Sequence, residues 1–144
     1  MSWDLLAFRA PVEFKSPRTE DLPQGWEPAP FGLRSEVQAQ LRVLLPGVQF
    51  SFVKDSLWGT WSDKSCSLEI SLGDVENITY LWIAARGESG EALPTISFLL
   101  DALNLRGVDL QRGEFFDLKL AHQSFQQWRE SVEGFRSTIK PKGE

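Results

Sequence analysis

The chain has little of what a reactive site usually needs. Its 144 residues hold one cysteine, Cys66, and one histidine, His122. A lone cysteine excludes an intrachain disulfide and fits a reducing compartment. A zinc or iron centre would have to draw its other ligands from carboxylates, and no pair of ligands stands at a familiar metal spacing. No metal and no cofactor is therefore expected. A Cys–His nucleophile is formally available, but Cys66 falls on the apolar side of a strand, where a thiol is inert. His122 reads as a polar residue in the first turn of a helix. Gly87-Glu88-Ser89-Gly90 lacks the lysine and repeated glycines of a phosphate-binding loop, and Glu88 and Glu91 are the wrong sign for it.

Long apolar runs are missing too. Residues 81–85 and 96–100 are the longest, far short of the roughly 20 that a membrane span needs. Residues 1–9 lack a basic leader and an apolar core, so no secretory signal is expected. Positive charge is scarce: 15 Lys and Arg against 20 Asp and Glu give a net charge of −5. Only Lys140 and Lys142 form a thin basic tail. This balance argues against nucleic acid and suits a basic protein partner. A cytoplasmic location follows as an expectation.

What is present suits a packed domain. Hydrophobic residues make up 42% of the chain, enough for a core without disulfides or a structural metal. Residues 2–9 carry large apolar groups on both faces under period two, with Trp3, Leu5 and Ala7 on one and Leu6 and Phe8 on the other. This predicts a buried central strand. Residues 11–33 hold Pro11, Pro17, Pro23, Pro28 and Pro30, which rule out a long helix or a central strand. Trp26 and Phe31 predict that this loop packs on the body. Ser35 as N-cap, with Gln38 completing a capping box, opens a helix whose stripe is Val37, Leu41, Leu44 and Leu45. Pro46-Gly47 stops it.

Residues 48–52 are short and extended. Three strands in a row follow within residues 57–87. In the first, Trp58 and Trp61 must face opposite sides. In the second, Cys66, Leu68, Ile70 and Leu72 oppose Ser67, Glu69 and Ser71, the clearest half-buried strand. In the third, Ile78, Tyr80, Trp82 and Ala84 oppose Leu81, Ile83 and Ala85. A second helix is expected over residues 92–105, with Gly107 as its C-terminal stop. Residues 108–110 suit a short strand. Phe125, Trp128, Val132, Phe135 and Ile139 mark one face of a last amphipathic helix.

This order predicts an α+β domain. It would be an antiparallel sheet with a central meander, two helices packed on one face and an extra C-terminal amphipathic helix. Residues 1–118 would form the core of a single domain, 119–140 the last helix and 141–144 a tail. The terminal stripe needs cover, from the domain itself or from a second copy. The chain is therefore expected as a monomer or as a homodimer through that helix.

Two constellations are candidates for function. Glu69 on its strand, and Asp109, Glu114 and Asp117 after the second helix, would do acid–base work only if held close with split pKa values. The plainer reading is a solvated face. The second candidate is the surplus of tryptophan, six in all. One of Trp58 and Trp61 must leave the core side, either to sit under the Pro-rich loop or to stand as an exposed anchor at a binding face, and packing in core and loop is the plainer reading. The contact residues chosen on this basis are Trp26, Phe31, Trp58, Glu69 and Asp74.

Several segments together resemble a family of small uncharacterised bacterial proteins. They are Met1-Ser2-Trp3-Asp4, Asp21-Leu22-Pro23, Pro30-Phe31-Gly32, Trp58-Gly59, Ser67-Leu68-Glu69-Ile70 with Gly73, Arg86-Gly87, and Gly113-Glu114-Phe115-Phe116-Asp117. The likeness covers about residues 1–117, and the segment after Lys119 looks like an extension. The family is similar in size and style to immunity proteins that neutralise bacterial toxins. The resemblance implies a cytoplasmic bacterial protein and adds no catalytic residue. The expected function is a non-enzymatic protein-binding module, immunity-like in type. The rival is a small carboxylate-based enzyme or small-ligand-binding protein.

Overall fold

Alternating side chains on adjacent strands build the centre of the molecule. The computed structural model describes residues 3–11, 14, 18–64, 66–86, 92–111 and 113–116. Asp117, His122, the expected helix over 119–140 and the tail lie outside them. The strands are β1 (Trp3–Phe8), β2 (Gly32–Leu33), β3 (Gln49–Val53), β4 (Ser56–Ser62), β5 (Ser67–Gly73), β6 (Asn77–Ile78), β7 (Tyr80–Arg86), β8 (Arg106–Asp109) and β9 (Glu114–Phe115). The helices are α1 (Arg34–Leu44) and α2 (Ala92–Ala102), with a 3-10 turn at Thr19–Asp21. Seven strands form one sheet in the order β3-β4-β5-β7-β1-β8-β9, and β2 pairs with β6. Every strand pair is antiparallel, so the chain is an α+β protein.

The expected meander is β4-β5-β7, extended by β3. β1 lies between β7 and β8, which explains why both of its faces are apolar. On one face, Leu5 and Ala7 of β1, Leu68, Ile70 and Leu72 of β5, and Leu81, Ile83 and Ala85 of β7 are buried. They share a single core cluster with Val37, Leu41 and Leu45 from α1 and its exit, and with Leu93, Ile96, Leu99 and Leu100 of α2. Each such Leu, Ile or Val side chain contributes about 1.5–3 kcal/mol by leaving water.

The opposite face is divided. At the β1-β8-β9 end, Phe8, Val108 and Phe115 form a second cluster, with Leu6, Ala10, Phe14, Leu22 and Trp26 packed against it. Phe14, Leu22 and Trp26 bring part of the Pro-rich segment here. Arg106 ties it down: its guanidinium sits 3.9 Å from the Phe115 ring centre, and Nη1 donates to the Phe14 carbonyl at 3.0 Å. Burial pushes this guanidinium below its ordinary value.

Both helix ends differ from expectation. Helix α1 begins at Arg34, and the residue before it, Leu33, makes no side-chain cap bond. The Ser35 capping box does not form. The Arg34 amide instead donates to the Glu76 carbonyl at 2.7 Å, a partner brought in by β2–β6 pairing. A tertiary bond thus satisfies one of the first-turn donors. Helix α2 ends before Gly107, which is buried in β8. Its stop is Asn104, in the left-handed region at φ 54°. The Leu105 amide donates to the Leu100 carbonyl and the Asn104 amide to the Asp101 carbonyl, the paired bonds of a Schellman motif.

Candidate functional site

Strand register puts one row of side chains across all seven strands on the face away from the main core. It runs Ser51, Trp58, Ser71, Trp82, Leu6, Val108, Phe115. The last three are covered by the Pro-rich segment or lie beside it. The middle is not: Trp82 is 38% exposed, and Tyr80, two residues before it on the same face, is 51% exposed. Trp58 and Trp82 stand on either side of Ser71, two strand spacings or about 10 Å apart. A slot between the two indoles would fit one flat or cationic side chain.

The neighbouring row is polar. It runs Gln49, Thr60, Glu69, Ala84, Asp4. Glu69 makes a loose ion pair with Arg86, 3.8 Å between Oε1 and Nη2. An exposed pair of this length adds little stability. Beside it a cleft of about 360 Å³ is lined by Thr60, Trp61, Ser62, Ser67 and Glu69, among others. Asp4 Oδ1 is buried and has no hydrogen-bond partner among the described residues.

Of the five contact residues chosen from sequence, Trp58 and Glu69 share this face on adjacent strands. Trp26 is half-buried on the same side of the sheet, its ring centre 5.5 Å from that of Phe8. Phe31 packs against the main core beneath the Arg9 guanidinium. Asp74 is exposed in the turn after β5. Sequence reasoning missed Trp82 and Tyr80. Their alternation with Leu81 and Ile83 was visible, but not which set faced the core. Arg86 in phase with Tyr80 and Trp82 was the available signal, since a charge marks the solvated side.

The candidate acids do not gather in one place. Asp109 and Glu114 are register partners on β8 and β9, and Glu69 is three strands away from Asp109 on β5. Asp109 is only 4% exposed and is engaged structurally: Oδ2 accepts from Trp3 Nε1 at 3.1 Å, and Oδ1 from the Gln111 amide at 2.9 Å. Asp117 lies outside the described residues. Among the described residues no three His, Cys, Asp or Glu side chains group as metal ligands, and no helix is long and apolar enough to cross a membrane. Cys66 is buried on the core side.

Comparison of the chain with protein-family models, with curated proteins and with solved structures finds no match.

Proposed function

We propose that the protein works by surface recognition, as a non-enzymatic module that holds a basic side chain of a protein partner on its second sheet face. The observation that carries this is the Trp58–Ser71–Trp82 row, in register on the face the main core does not use. Two indole faces attract a guanidinium or ammonium group. The Glu69 carboxylate, on the same strand and face as Ser71, lies about 7 Å along and can meet the charge. The net charge of −5 draws a basic partner in the same sense. A toxin domain of basic surface is the partner type that the resemblance to immunity-like proteins supports, with a bacterial cytoplasm as the setting.

Affinity capture from the source organism at near-native concentration tests this, using full-length protein and a Trp58→Ser, Trp82→Ser double variant. The reading expects a basic protein retained by the unaltered chain and lost from the variant, while both chains keep the same circular dichroism. Equal retention by the two, or no retained protein at all, counts against it.

A further inference from the structure

The two edges of the large sheet are unlike each other. β9 is two residues long, and next to it Arg18 bridges to Glu114, so that edge is short and overlaid. β3 is five residues long and, among the described residues, pairs with β4 alone. Its sequence, Gln49-Phe50-Ser51-Phe52-Val53, has no proline and no charge. Phe52 is 61% exposed and Val53 58%. Among the described residues no backbone bond is made from the outer side of this strand. Such an edge offers a template for another strand, and the strand itself carries neither the charge nor the proline that usually protects an edge.

Helix α1 gives the edge a chemical preference. Arg34, Gln38 and Arg42 are spaced by four and share one side of the helix. The Arg42 guanidinium lies 5.3 Å from the Phe50 ring centre and that of Arg34 5.4 Å from Phe52. Arg42 makes no hydrogen bond or ion pair among the described residues. Gln38 and Arg34 line a cleft of about 220 Å³ with Phe52 and Glu76.

We propose that β3 is a strand-addition site for an extended, acidic segment of a partner polypeptide. The incoming strand would continue the sheet through main-chain bonds. Its alternate side chains would lie beside Phe50 and Phe52, where a carboxylate meets Arg42, while Arg34 Nη1 already donates to the Asp55 and Gly73 carbonyls. Glu76 lines the cleft at the Arg34 end, so the acid opposite Arg42 is favoured and a neutral side chain suits the cleft. Charge decides against a second copy of this chain as occupant: pairing β3 with itself sets one Arg34–Gln38–Arg42 stripe against another. This inference is independent of the row on the second face.

The test is a titration of full-length, isotope-labelled protein with a short peptide alternating glutamate and valine, followed by amide resonances. The expected result is selective change at residues 49–53 and an affinity that weakens several-fold from low to high salt. Arg42→Gln should weaken binding roughly two- to fivefold. Phe52→Pro should abolish it with the fold retained, because the Phe52 N–H lies on the outer side while those of Ser51 and Val53 face β4, whereas Trp82→Ser should leave it unchanged. If Phe52→Pro unfolds the chain, Arg42→Gln still decides. Equal binding of the matching lysine–valine peptide overturns the proposal. So do the absence of change at residues 49–53 with millimolar peptide, and self-association of the protein through β3.

Discussion

At the scale of single residues, two positions show how chemistry foreign to a core is accommodated. Asp109 is a buried carboxylate held by the Trp3 indole N–H and the Gln111 amide. Asp109→Ala leaves the indole donor buried without a partner, and we expect a loss of about 1–3 kcal/mol in urea unfolding. Nothing local in the sequence points to this bond, because its partners are 106 residues apart. Asp109 therefore reads in sequence as part of a solvated acid cluster, whereas the fold makes it a structural acceptor. Gly59 shows the reverse case. A Cβ there would lie 2.8 Å from Phe50 Cε1. Gly59→Ala should cost about 1 kcal/mol in the same assay, the low end for overpacking, since a ring on an edge strand can turn aside. It should also displace the Phe50 ring from Arg42.

At the scale of elements, periodicity was legible and termini were not. The alternation in β5 places Leu68, Ile70 and Leu72 on the core side because period two is a property of the strand itself. The opposite facing of Trp58 and Trp61 follows from the same rule, and Trp61 packs on the main core while its Nε1 donates to the Pro46 carbonyl. The helix ends followed tertiary partners instead. Ser35 has the right side chain for a cap, but β2–β6 pairing supplies the Glu76 carbonyl one residue earlier. At the end of α2 an asparagine took the left-handed position that the glycine rule assigned to Gly107. Gly107 is needed elsewhere, because a Cβ there would meet Leu100 Cδ1 at 3.1 Å. Asn104→Gly should be nearly neutral or slightly stabilising on thermal unfolding, since glycine meets no steric cost at positive φ. Asn104→Val should destabilise, by roughly 1–2 kcal/mol.

At the scale of the molecule, strand order decides what is available to a partner. Strand β1 pairs with β7 and β8, and no local signal in residues 2–9 could name those neighbours. That placement puts Leu6 beside Trp82 and lets the Pro-rich segment cover Phe8, Val108 and Phe115. The same arrangement leaves the Trp58–Ser71–Trp82 row outside both clusters. The candidate site was thus half legible: Trp58 and Glu69 could be chosen from alternation and charge, while Trp82 and Tyr80 required the register of β7 against β5 and β1.

In the proposed function the two faces of one sheet divide the labour, the first serving stability and the second recognition. Trp82 and Ile83 are neighbours in the chain that point to opposite faces, so comparing their urea unfolding is the most direct test. Ile83→Ala should lose about 2–5 kcal/mol, whereas Trp82→Ser, at a larger but partly exposed side chain, should lose less, about 1–2 kcal/mol. Equal losses from the two substitutions would mean that both faces hold the fold together and would contradict the division.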